Sequence, residues 1–195
     1  LAYYNDSLQF SINNSSLQLS ATAPLPSGWH HVAVSRSGER FRLFIDGVMS
    51  AESTYASPLT VPTSAEMRIG GSEINAMWIG QIDEVRLSSV ARYTSNNFAP
   101  EGSLDAQADT IALWKFNEFP TNPGIFFDPL MQIYDSSGNG HHGSSHSSVL
   151  WNKTCPANPS GLDWIHSVTA EAELTRSEVT VKQFGNDTGN IINFS

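Results

Sequence analysis

Hydrophobic and polar residues alternate along much of this chain. Leu8, Phe10 and Ile12, then Leu17 and Leu19, fall on every second position, which is the repeat of a strand that buries one face. Trp29 to Ser35 and Phe41 to Ile45 continue the pattern. In the second of these Phe41, Leu43 and Ile45 share a face with Arg42 opposite, as expected of a strand with one side on a core. Turn residues punctuate the runs: Ser37-Gly38 closes one, and Asp46-Gly47 lies between Ile45 and Val48. Asp-Gly is the pair that tolerates positive φ at both centres of a type I′ hairpin. Residues 29–54 are therefore predicted to form a three-strand antiparallel meander. Further strands are predicted at 67–70, 77–87, 110–116, 167–174 and 178–184. No sustained helical stripe is present, and a turn near Ser88 to Tyr93 is the one helical candidate.

Within 77–87 the apolar phase slips, because Trp78 and Ile82 are even while Val85 and Leu87 are odd. One extra residue near Asp83 and Glu84 would restore a single buried face, so a β-bulge is predicted there. Many short strands and almost no helix mean an all-β protein of two packed antiparallel sheets, a sandwich or jelly roll. The second half is less regular. Residues 120–129 are rich in Pro, Asn and Gly; 135–148 is a polar loop; and 151–160 carries Cys155, Pro156 and Pro159. The expected organisation is a β-sandwich over residues 1–150, followed by a linker and β extension over 151–195.

Composition narrows the partners. The chain has 195 residues, 39% of them hydrophobic, ample for a packed core. Ten Lys plus Arg stand against 19 Asp plus Glu, a net charge of −9, so no basic stretch neutralises phosphates, and nucleic acid is not an expected partner. No apolar run approaches the roughly 18 residues that span a bilayer as a helix. The single cysteine, Cys155, excludes an internal disulfide. Asn-x-Ser/Thr acceptor sites occur at Asn5, Asn13, Asn14, Asn152, Asn186 and Asn193, which leans toward an extracellular or cell-surface, glycosylated chain.

Four segments, "GWHHVAVSRSGERFRLFIDG", "MRIGG", "IGQIDEVRLSSVARYT", and "LWKFNE" with "DSSGNGHHG", resemble in that order the laminin G-like, concanavalin A-like jelly-roll family. The resemblance spans residues 8 to about 150. It implies a sandwich in which His30 and His31 belong to the packing of a core hairpin. One feature departs from the family. Its members usually begin with the strand bearing Trp-x-Phe-x-Glu and the Asp-Ser-Ser-Gly-Asn-Gly signature, whereas here Trp114, Phe116, Glu118 and Asp135 to Gly140 follow the meander. Two arrangements account for this: a permuted domain, or a sandwich completed by a strand from another segment or chain, since an open one exposes an unpaired edge.

Enzymes of this fold that hydrolyse β-glucans carry Glu-x-Asp-x-x-Glu on one strand. The nearest text here is Gln81-Ile82-Asp83-Glu84, which lacks the first carboxylate, so no enzyme is expected. Calcium is the cofactor the resemblance implies, and Asp135 and Asn139, in a Gly-rich loop, are its candidate ligands; the alternative is that they build an Asx-type turn. His141, His142 and His146 cluster among Ser and Gly without a zinc-like spacing. Trp151 and Trp164, outside the core pattern, are the candidate stacking platforms for sugar rings. The function these features favour is non-catalytic extracellular recognition or adhesion, with a glycan or a protein as ligand. The alternative is a structural subunit of an extracellular filament or sheath, assembled by strand exchange between copies.

Overall fold

The computed structural model describes residues 1–4, 6–12, 17–21, 23–59, 67–70, 78, 80–117 and 132–145, with the backbone of 170–172 and 178–182. Alternation opens the chain as three antiparallel strands, β1 (Ala2–Tyr4), β2 (Ser7–Ile12) and β3 (Leu17–Ser20), in spatial order. Leu8, Phe10, Leu17 and Leu19 from their inner face are buried. The meander follows as β4 (His31–Ser37), β5 (Arg40–Ile45) and β6 (Val48–Thr54). Its second turn takes the positive φ of a type I′ hairpin, 50° at Asp46 and 78° at Gly47, as the Asp-Gly pair predicts.

The remaining strands are β7 (Met67–Ile69), β8 (Val85–Ser88), β9 (Thr110–Trp114), β10 (Gln132–Ile133), β11 (Gly143–Ser145), β12 (Ala170–Ala172) and β13 (Glu178–Lys182). They complete a six-stranded sheet of order β6-β5-β4-β13-β8-β9 and a four-stranded sheet of order β10-β11-β12-β7. All pairings are antiparallel. Val32, Val34, Phe41, Leu43, Val85, Leu87, Ala112 and Trp114 of the large sheet share one core with Leu8, Phe10 and Leu19 of the first sheet and Met67, Ile69 and Ile133 of the third. The two smaller sheets thus line the layer opposite the large one, and the fold is the expected antiparallel β-sandwich.

The phase slip has a different cause from the predicted bulge. Trp78, Ile82, Val85 and Leu87 all reach the core, but the strand breaks before Val85, and Glu84 takes the left-handed backbone, φ 47°. A single αL residue re-aims the chain as an inserted residue would. Ladder irregularities occur instead between Leu43 and Phe44 and between Leu87 and Ser88. The turn near Ser88 is not helical, and no helix occurs among the described residues. Residues 89–109 instead run over the outer face of the large sheet. Tyr93 stacks on Phe98 with centroids 3.6 Å apart, and both meet the Phe44 ring edge-on.

Gly47 shows how closely this strap lies. Its carbonyl accepts from Phe98 N at 2.8 Å, and a β-carbon at Gly47 would collide with the Phe98 carbonyl oxygen. Gly47→Ala therefore combines a strained φ with a backbone clash, and is expected to cost at least about 2 kcal/mol. Urea unfolding of the two proteins measures it; an unchanged midpoint would show that the strap is loose.

Candidate functional site

Three of the polar side-chain clusters among the described residues bear on the choice of a site, and two of these are structural. In the first, the carboxylate of Asp46 ties the hairpin turn to the start of β4. Its Oδ2 lies 2.8 Å from His30 Nδ1, and its Oδ1 accepts from His31 N at 2.9 Å. The other His30 nitrogen contacts the Pro26 carbonyl at 3.0 Å. The His31 ring is buried edge-on against Phe98 and Tyr93. Both histidines are thus engaged in packing and turn anchorage.

The second cluster pins the strap to the large sheet. Arg86, fully buried, donates to both carboxylate oxygens of Glu101 at 3.0 and 3.1 Å, and to the Tyr93 hydroxyl and the Asp105 carbonyl at 3.3 Å. Burial alone would lower the Arg86 pKa, but the hydrogen bonds and charge of Glu101, aided by Tyr93, outweigh it and lift it above its ordinary value. The guanidinium stays charged. Burial pushes the Tyr93 hydroxyl up. Glu84 completes the clamp, accepting from Ser103 Oγ at 2.6 Å and Leu104 N at 2.8 Å. Its carboxylate is committed to the strap, which leaves it badly placed for the acid or nucleophile role of a glycoside hydrolase.

The third cluster is the loop 134–142, which joins β10 to β11. Asp135 is its anchor. Oδ1 accepts from Leu113 N at 2.9 Å and Ser137 N at 2.8 Å, while Oδ2 accepts from Ser137 Oγ at 2.8 Å and His141 N at 3.0 Å. The bond to the amide two residues on is an Asx turn. Burial would raise this carboxyl, but the hydrogen bonds from Ser137, Leu113 and His141 together hold it below the usual carboxylate value. Asn139 turns its amide nitrogen onto the carbonyls of Thr110 and Ile111, each at 2.9 Å. Trp114 Nε1 donates to the His141 carbonyl at 2.8 Å, so the loop is stapled to β9 along its length.

Asp135 and Asn139 are the candidate calcium ligands: both Asp135 oxygens accept from N–H and O–H donors, while Asn139 spends its amide nitrogen on the Thr110 and Ile111 carbonyls, and the amide oxygen is the atom that calcium would use. Among the described residues no three His, Cys, Asp or Glu side chains cluster as a metal set. Trp151, Trp164, Cys155, His146 and the acceptor asparagines Asn5, Asn13, Asn14, Asn152, Asn186 and Asn193 lie outside the described residues.

What this anchored loop presents to solvent is an aromatic pair. Ile133 is buried at the end of β10, so alternation sends Tyr134 outward, where it is 54% exposed. The His142 ring meets it edge-on with centroids 5.5 Å apart, and His142 Nδ1 accepts from Asp135 N at 3.0 Å. Ser136, Asn139 and His142 are exposed on the same loop. Sequence reasoning overlooked Tyr134; the available signal was its place just after a buried Ile, against a loop rich in turn residues.

Residues 2–96 match the family model described as the concanavalin A-like lectin/glucanases superfamily, of the laminin G type. This stretch is similar to a laminin G-like segment. It takes in β1 to β8, and Trp114, Phe116 and the loop 134–142 follow it in the chain. No curated protein and no solved structure matches the sequence. Laminin G-like and concanavalin A-like domains are in general binding modules for glycans or proteins, without catalysis. No helix among the described residues is long and apolar enough to cross a membrane.

Proposed function

We propose that this protein is a non-catalytic recognition module of the extracellular space or cell surface, and that it holds a glycan through the loop 134–142. One observation carries the reading: an exposed aromatic ring sits on a loop that cannot collapse. Sugar rings stack their C–H faces on aromatic side chains, and a ring whose orientation is fixed before binding loses little entropy when the ligand arrives. Tyr134 is held by the neighbouring His142 ring, and His142 by the Asp135 amide. Ser136, Asn139 and His142 supply polar groups for hydroxyls at the edge of the ring. The net charge of −9 favours a neutral or cationic ligand over a sulfated one. The acceptor asparagines support the extracellular placement.

A glycan array followed by titration calorimetry on its hits tests this. Tyr134→Ala is expected to weaken binding roughly tenfold to a hundredfold. Because the ring is largely exposed, the unfolding temperature should hardly move. Equal affinity in the variant, or an array with no hits, would overturn the proposal.

A further inference from the structure

The sequence holds one Asn-Gly pair, Asn139-Gly140, and the fold leaves its reacting atoms open. Asparagine is a chemically labile side chain. Its amide carbon is attacked by the backbone nitrogen of the next residue, and glycine there obstructs least because it has no β-carbon. Asn139 and Gly140 are both exposed. Gly140 takes φ 81°, and apart from its chain neighbours nothing lies within 4 Å of where a β-carbon would stand. The amides on either side are spent: Asn139 N donates to Ser137 Oγ at 3.3 Å, and His141 N to Asp135 Oδ2 at 3.0 Å. The Gly140 N–H between them has no hydrogen-bond partner among the described residues.

The amide at risk also holds the loop in place. Asn139 Nδ2 donates to the carbonyls of Thr110 and Ile111 at 2.9 Å each, and both belong to β9, the last strand of the large sheet. A carboxylate in place of that amide has no hydrogen to give, and it would set a negative charge against two carbonyl oxygens. Loss of one nitrogen therefore turns a staple into a repulsion.

We propose that Asn139 is a site of spontaneous deamidation, and that the modification releases the loop 134–142 from β9. The Gly140 nitrogen gives its proton to water and bonds to Asn139 Cγ. The Cγ–Nδ2 bond breaks, and Nδ2 leaves as ammonia with a proton supplied by water. A second water then opens the cyclic imide. Opening at the side-chain carbonyl yields aspartate, while opening at the main-chain carbonyl yields isoaspartate, whose backbone is one atom longer. Both products lack the donor to Thr110 and Ile111. The longer backbone also displaces His141 from its bonds to Asp135 and Trp114. The two bonds on Nδ2 restrain the amide, so the reaction is slower in the folded protein than in an unfolded chain. Neither step depends on what the loop binds.

The full-length protein is incubated for weeks at neutral and at mildly alkaline pH, with a urea-unfolded sample alongside, and digested at intervals for mass spectrometry. The expected result is the mass gain of an amide turned into an acid, appearing first in the peptide that contains Asn139. It should be faster at alkaline pH, because the attacking nitrogen must lose its proton. A carboxyl methyltransferase specific for isoaspartate should label the same peptide. Asn139→Asp carries one product from the outset. It should unfold about 5 °C below the wild type, and the amides of residues 137–141 should exchange with deuterium roughly tenfold faster. An Asn139 that stays intact in the folded protein while it converts in urea would overturn the proposal. So would an Asn139→Asp protein whose unfolding temperature and exchange match the wild type.

Discussion

Glu101→Gln is expected to destabilise the protein by about 3–4 kcal/mol, lowering the unfolding temperature by roughly 10 °C. The reason lies in which charge is left behind. Arg86 has no exposed side-chain surface, while Glu101 retains 37% of its own. Removing the negative charge strands a cation that water cannot reach, with the neutral amide oxygen of the new side chain, the Tyr93 hydroxyl and the Asp105 carbonyl left to solvate it and an amide NH2 turned toward it. Removing the cation instead leaves a carboxylate that can rehydrate, so Arg86→Met should cost only about 1–2 kcal/mol. The double variant should lie close to Arg86→Met alone, because once the guanidinium is gone the loss of Glu101 strands nothing. Calorimetric unfolding of the four proteins measures the asymmetry. Equal losses from both single variants would show that the pair is solvated and that the strap is held by its aromatic residues.

Asp135→Ala should cost about 3 kcal/mol. The loss is concentrated at Leu113 N, a buried donor that the carboxylate satisfies; the amides of Ser137 and His141 belong to a surface loop and can turn to water. The same group sets a pH dependence. Its folded pKa lies below the ordinary 3.8, so its stabilisation is complete above that value and is lost as pH falls from 3.8 through the depressed folded value. The wild-type stability curve should therefore fall more steeply in that window than the curve of Asp135→Ala. Parallel curves from pH 5 down to pH 2 would show that the carboxylate contributes no more as an anion than as an acid.

Strands whose alternation faces the core were legible from the residues alone. The meander follows from Val32, Val34, Leu43 and Ile45 with Asp46-Gly47 between its last two strands, and the alternation before it, though not its fold into a hairpin, from Leu8, Phe10, Leu17 and Leu19. β1, β10 and β11 were missed because two or three residues are too few to display a period. The burial of Arg42 was also missed. It stands opposite the core-facing residues, as its pattern requires, yet its side chain is only 8% exposed and its Nε donates to Glu52. Nothing in a two-residue repeat reveals that a polar position on the second face will be covered and paired across the ladder. The positive φ at Glu84 was hidden for a related reason: a phase slip shows that the chain changes course but not whether an inserted residue or an αL residue turns it. At the rim, the turn-building potential of Asp135 and Asn139 was legible. Its consequence, that their oxygens and amide are consumed by β9 and the loop, depended on which strand lies beneath.

The placement of β12 and β13 also bears on how the molecule is made. A ribosome delivers the meander, the strap and the rim loop well before it delivers the two strands that join the halves of both layers. Throughout that interval a nascent chain has Val32, Val85 and Leu87 beside vacant ladder positions, and these contacts close only across long separations in sequence, the kind that form slowly. Folding of this sandwich during synthesis should therefore depend on chaperone protection until β12 and β13 have been made.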